Sequence, residues 1–185
     1  MKKDYICNSC LGDLADLPII FRNISMLPVQ SLFHYIPPAD NLIMFGKGSK
    51  NPRLVELLAQ LISQKFAFDC LSPICGVIPI PPKIKNEKDH AYLIARQVSN
   101  FFNVPLYEEL LIRVDQSSQK TKNIEDRGRL KFTLNGSVPC HAPREGLILL
   151  VDDVVTTGAT LVAAWTLLGR PPTSALTLAS TPRWH

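Results

Sequence analysis

One segment constrains this chain more than any other: Leu149-Leu150-Val151-Asp152-Asp153-Val154-Val155-Thr156-Thr157-Gly158-Ala159-Thr160. The run at 147–151 is unbroken and apolar, as in a central parallel strand buried on both faces. Two adjacent carboxylates end it. A Thr-Thr-Gly turn follows, and a helix is expected over 158–168. In open α/β sheets, ligands bind at the carboxyl ends of strands.

The residue types in that turn match a particular kind of ligand. A helix start presents unpaired N–H groups and a positive dipole end, which suit a phosphate. Gly158 lets the backbone approach closely, and Thr156, Thr157 and Thr160 add hydroxyl donors. Asp152 and Asp153 can accept hydrogen bonds from two vicinal hydroxyls. A phosphate on one side and a diol on the other describe a ribose 5-phosphate. The plainer alternative is an acidic turn with a Thr-rich cap.

The rest of the chain supplies strands and helices in alternation. Pro52 sits where a helix can start, and Leu54, Leu57, Leu58, Leu61 and Ile62 recur at helical spacing, so a helix is expected over 53–68. A short apolar run at 76–80 reads as a buried strand that ends in a Pro81-Pro82 loop. A second helix is expected over 87–102, with Ala91, Ile94, Ala95, Val98 and Phe102 on one face. Further strands are expected over 104–113, interrupted at Glu108-Glu109, and over 175–179, with a polar loop at 116–123 between them. Phe101, Phe102 and Trp165 are read as core. The first fifty residues hold Pro18, Pro28, Pro37 and Pro38 and few helix-period runs, so short strands and turns are expected there. The fold class that follows is α/β, with a mainly parallel sheet flanked by helices and a small irregular N-terminal region.

Composition excludes other classes. At 185 residues the chain is one domain, or one domain with an appendage, and can bury roughly 70% of its unfolded surface. Charged residues are 19% and hydrophobic residues 46%, which rules out a disordered polyampholyte. A net charge of +4 permits phosphate ligands without demanding nucleic acid. The five cysteines are odd in number and unevenly spaced, a poor disulfide framework, so a reducing, cytoplasmic compartment is expected. No apolar stretch is long enough for membrane insertion, and no signal peptide is read at the N-terminus.

The segment at 149–160 resembles the motif of type I phosphoribosyltransferases that binds 5-phosphoribosyl-1-pyrophosphate (PRPP). The wider chain resembles the ComF family of competence proteins, also called amidophosphoribosyltransferase-like. The supporting features are a Cys-x-x-Cys at Cys7 and Cys10, the stretch from Tyr35-Ile36-Pro37-Pro38 to Lys47, Val77-Ile78-Pro79-Ile80-Pro81, and Arg113 followed by Gln119-Lys120-Thr121 and Arg127. The resemblance implies a type I phosphoribosyltransferase fold, divided here into an N-terminal region at 1–50 and a phosphoribosyltransferase-like domain at 51–185. It implies PRPP binding by Asp152, Asp153, Val154, Val155, Thr156, Thr157, Gly158, Ala159 and Thr160, with Asp152 and Asp153 also catalytic. Ile80, Pro81, Pro82 and Lys83 would form the pyrophosphate loop. Gln119, Lys120 and Arg127 would belong to a flexible loop that closes over the reacting centre. Mg²⁺ would accompany PRPP.

The chain departs from the family's pattern in two places. Asn86-Glu87-Lys88-Asp89-His90-Ala91 stands where the family has an Arg-Gly-aromatic-Asn-Gln-Ala motif, although Lys83, Lys85 and Lys88 supply charge nearby. There is one N-terminal cysteine pair where many members have two. Zn²⁺ on Cys7 and Cys10, with His34 or Cys70 and Cys75 as distant ligands, therefore stands beside a degenerate remnant. The expected function is transfer of a phosphoribosyl group to an unidentified acceptor, in DNA uptake for natural transformation. The alternative is a non-catalytic PRPP-sensing or single-stranded-DNA-binding module that contacts a helicase-like competence protein. A nucleotide-salvage enzyme is a third reading.

Overall fold

The computed structural model of the chain describes residues 8–37, 39–46, 52–69, 72–82, 90–114, 132–138 and 146–182. These form helices α1 (Asn8–Asp16), α2 (Ala39–Gly46), α3 (Pro52–Asp69), α4 (His90–Phe102) and α5 (Ala159–Leu167). The strands are β1 (Ile20–Ile24), β2 (Leu27–His34), β3 (Ile74–Pro79), β4 (Leu111–Arg113), β5 (Phe132–Leu134), β6 (Leu147–Val155) and β7 (Thr173–Ser180). Five strands make one sheet in the order β1-β2-β7-β6-β3. Every pairing in it is parallel except the β1–β2 hairpin. The expected α/β class with a mainly parallel sheet is therefore what the chain adopts.

Alternation along β6 divides the core between the two sheet faces. Leu149 and Val151 pack with α3 and α4 residues such as Leu58, Ile62, Ile94 and Val98. Ile148 and Leu150 pack with α5 residues Leu161, Ala164 and Trp165. Period-two side chains make this division unavoidable once both faces are covered. Each fully buried aliphatic side chain contributes about 1.5–3 kcal/mol. Strand β7, in the middle of the sheet, is buried at all eight positions. Its polar side chains are satisfied locally, as in the 2.7 Å hydrogen bond between the Thr177 and Ser31 hydroxyls. Trp165 is core as expected, and its indole N–H donates to the Pro171 carbonyl at 2.9 Å.

Several expectations are corrected. The N-terminal fifty residues contain helices α1 and α2 as well as strands. Tertiary contacts explain both. Lys65 of α3 donates to the carbonyls of Ala15 (2.6 Å) and Leu17 (2.5 Å), closing the C-terminal end of α1. Helix α2 buries Ile43 against the α3 side of the core. Strands β1 and β2, from the same region, belong to the main sheet. The stretch 104–113 is split where the interruption was expected: Leu106 makes one parallel bridge beside Val77 of β3, and a turn at Glu108-Glu109 precedes β4. Glu108 and Glu109 are both exposed at that turn, where their charges stay in water. Phe102 packs edge-on against Phe66 of α3 at 6.0 Å, but Phe101 stays 41% exposed. The start of the helix expected at 87–89 lies outside the described residues.

Candidate functional site

At the C-terminal ends of the parallel strands, β3 and β6 separate. They pair as far as Pro79 and Val151, and the Ile80 amide makes a final bond to the Val151 carbonyl at 2.8 Å. Beyond this, Pro81 and Pro82 have no N–H to offer a neighbour. The chain leaving β3 leads to α4 on one face of the sheet, and the chain leaving β6 leads to α5 on the other. Adjacent strands whose chains depart to opposite faces open a crevice between their ends, the usual ligand position in such sheets.

The two carboxylates lie beside that crevice, but within β6. The strand was expected to end at Val151; it continues to Val155, because β7 remains alongside with Asp152 opposite Thr177 and Val155 opposite Ser180. Asp152 to Val155 are therefore paired to β7 and, among the described strands, to nothing on the β3 side. Here each acid holds the next amide. The Asp153 N–H donates to Asp152 Oδ1 at 2.9 Å, and the Val154 N–H to Asp153 Oδ1 at 2.7 Å. Both carboxylates are half-buried and orientationally restrained.

The turn after β6 is exposed at Thr156 and Thr157 and buried at Gly158. Gly158 is the cap residue of α5, with φ 81° and ψ 4°. A Cβ there would lie 2.5 Å from Ile24 Cδ1, so packing against β1 as well as conformation requires glycine. Helix α5 has no acidic residue in its first turn and receives no side-chain cap from Gly158. The Thr157 hydroxyl accepts from the Ala159 N–H at a long 3.3 Å. A helix start without a competing carboxylate in its first turn, next to two exposed threonines, has the chemistry of an anion site.

Arg22 is a component that sequence reasoning missed. From β1 it donates through Nη1 to Ser180 Oγ (2.6 Å) and the Thr181 carbonyl (3.4 Å), and through Nη2 to the Thr156 carbonyl (3.1 Å). Its only sequence signal is the two-residue spacing to Ile24, which puts both on one face of a strand. Arg113 has a related place at the other loop. Its Nε and Nη2 donate to the Pro81 carbonyl at 3.2 and 3.1 Å, and its guanidinium lies over the Phe132 ring at 5.0 Å. Arg113 thereby ties the β4–β5 ribbon to the end of β3.

Of the expected site residues, the fold brings Ile80, Pro81 and Pro82 to the same end of the sheet as Asp152, Asp153, Val154, Val155, Thr156, Thr157, Gly158, Ala159 and Thr160. Lys83, Lys85, Lys88, Gln119, Lys120, Arg127 and Cys7 lie outside the described residues, as does the side chain of Cys10. Among the described residues no group of three or more His, Cys, Asp or Glu could hold a metal ion. Cys75 is disulfide-bonded, against the expectation from cysteine count, and is not available there as a thiolate; no other cysteine has a described side chain. No described helix is long and apolar enough to cross a membrane.

Comparison with solved structures finds 27 matching chains, among them three of related description. UMP synthase of Leishmania donovani matches at 18% identity and a TM-score of 0.44, over 75% of this chain and 24% of that one. Adenine phosphoribosyltransferase of Leishmania donovani matches at 13% identity and a TM-score of 0.43, over 71% and 66% of the two chains. The enzyme of Leishmania tarentolae gives 12%, 0.43, 71% and 73%. The chain thus spans about a quarter of the UMP synthase and about two thirds of the first adenine enzyme. No protein-family profile and no curated protein sequence matches the chain.

Proposed function

We propose that this chain is a phosphoribosyltransferase-like protein that binds PRPP at the C-terminal end of β6. The observation that carries the reading is the pair Asp152-Asp153 on the strand edge that β3 vacates, followed within five residues by the Gly158-capped start of α5. The vicinal diol and the 5-phosphate of one ribose need those two chemistries a few residues apart.

In this reading the amides at the start of α5 and the hydroxyls of Thr156, Thr157 and Thr160 hold the 5-phosphate. Asp152 and Asp153 accept from the ribose hydroxyls. Ile80, Pro81 and Pro82 border the pyrophosphate, with Lys83 supplying charge, and the segment carrying Gln119, Lys120 and Arg127 closes over it. The bond from C1 to pyrophosphate breaks with its electron pair on the leaving oxygen. The acceptor supplies the pair for the new bond to C1 and releases its proton. Catalysis rests on orientation and on stabilising positive charge at C1 beside the two carboxylates. Two carboxylates with hard oxygen donors suit Mg²⁺, which typically takes one or two carboxylates plus substrate oxygens, and when bound with PRPP it would neutralise pyrophosphate charge. Zn²⁺ on Cys7 and Cys10 remains a separate proposal, checked by metal analysis of the purified protein.

A second reading is a PRPP-sensing or single-stranded-DNA-binding module without turnover, and the specific observation in its favour is Asn86-Glu87 in place of the family's Arg-Gly. A place in DNA uptake, with a helicase-like partner, rests on the ComF resemblance; DNA binding of that kind would weaken steeply with salt. The primary test is calorimetric titration with PRPP, with and without Mg²⁺. Metal-dependent binding that ribose 5-phosphate only partly reproduces is expected. No binding by folded protein would remove the reading.

A further inference from the structure

We infer that Arg22 is a positioning residue for the phosphate-binding turn: its guanidinium holds the Thr156 carbonyl so that the amides of residues 157–160 face one ligand. This rests on the reading of the turn as a phosphate site. The backbone argument is independent of it. Sheet pairing of β6 ends with Val155 opposite Ser180, so the Thr156 carbonyl lies one residue beyond the register. It also lies before α5, whose cap residue Gly158 already supplies the first carbonyl to the helix, accepting from the Val162 N–H at 3.0 Å. Neither element supplies a donor to Thr156, and the orientation of its peptide plane decides where the following amide points.

Two side chains answer that need. Arg22 Nη2 donates to the Thr156 carbonyl at 3.1 Å, and the Thr181 hydroxyl reaches the same oxygen at 3.4 Å. Arg22 Nη1 is fixed at the same time by Ser180 Oγ at 2.6 Å. One planar group thus spans the last residue of β7 and the first residue after β6, which an ammonium on a flexible stem cannot reproduce. Two residues along β1, Ile24 packs under Gly158. The edge strand therefore holds the turn at both ends, by a hydrogen bond at Thr156 and by packing at Gly158. Neither contact requires ligand to be present.

The test compares wild type with Arg22→Met and Arg22→Lys, after confirming by thermal melting that the variants fold. Backbone amide NMR shifts of the ligand-free proteins read the turn directly. In both variants, the amide shifts of residues 157–160 should move, while those of the strand cores at 148–151 and 175–178 stay in place. Titration with ribose 5-phosphate should show affinity falling about tenfold in both variants, with pyrophosphate affinity unchanged. Recovery of ribose 5-phosphate affinity by Arg22→Lys would overturn the inference, because charge alone would then suffice. So would equal losses for both ligands, which mean general damage. Unchanged amide shifts in the turn would overturn it even where wild type binds ribose 5-phosphate normally, leaving the site assignment intact. A wild type that binds neither ribose 5-phosphate nor PRPP would remove the site assignment and, with it, any ligand role for Arg22.

Discussion

The two halves of β6 share a backbone and differ in almost everything else. From Leu147 to Val151 the strand has a partner on each side, β3 and β7, and its side chains alternate between two apolar layers. From Asp152 to Val155 it keeps β7 alone, and acids replace the aliphatic pair. The first half is closed on every side and contributes to stability. The second half has one edge that no other described strand pairs with, and its carboxylates hold their neighbours' amides there. The proposed binding site therefore lies where strand pairing stops, because a fully paired and covered strand has no polar edge left to offer.

The sharpest division between the halves is expected from Asp152→Asn with Asp153→Asn. Asn keeps an oxygen for each neighbouring amide, so the denaturation midpoint should move little. Loss of two charge-assisted hydrogen bonds to the ligand should cost about 3–6 kcal/mol, at least about a hundredfold in Kd for PRPP. Unchanged affinity in calorimetry would break the comparison. The converse change is Leu150→Ala. It should lower stability by about 2–5 kcal/mol in urea unfolding, while the remaining folded protein keeps its PRPP affinity.

Gly158→Ala probes the boundary of the site with its support. The left-handed φ and the Ile24 contact together should cost about 1–3 kcal/mol. In an Ile24→Ala background the same change should cost less, since the steric part is gone; equal costs in both backgrounds would mean that conformation alone demands glycine. The smallest effect is expected at the hairpin that delivers β1. Ser25 and Met26 both have positive φ, at 51° and 74°, in a two-residue turn between Ile24 and Leu27. Met26→Gly should therefore raise the unfolding free energy by about 0.5–1 kcal/mol, and a decrease would show that the Met26 side chain matters more than its conformation.

That hairpin also marks where the sequence stops being readable. Turns of this type favour Asn-Gly or Asp-Gly, and Ser-Met carries no such signal. Strand β1 therefore had no visible end, and Arg22 had no visible target. Helix α1 was hidden for a similar reason: its C-terminal carbonyls are satisfied by Lys65, about fifty residues further along the chain.

What the sequence determined by itself was everything carried by local periodicity and residue chemistry. The apolar spacing of Leu54, Leu58, Leu61 and Ile62 is helical in any context that buries it, and α3 runs from Pro52 to Asp69, within one residue of the expected range at each end. The run before Asp152 is too apolar to lie anywhere but inside, and the order of acids, threonines and glycine after it stated the chemistry of the turn. Tertiary structure decided how far β6 extends, because a strand lasts as long as a partner stays beside it, and β7 continues to Ser180 while β3 leaves at Pro79. It also decided what holds the turn in place. Hydrogen-bond partners such as Arg22 and Thr156 are 134 residues apart, and no local pattern records a contact that only the folded sheet creates.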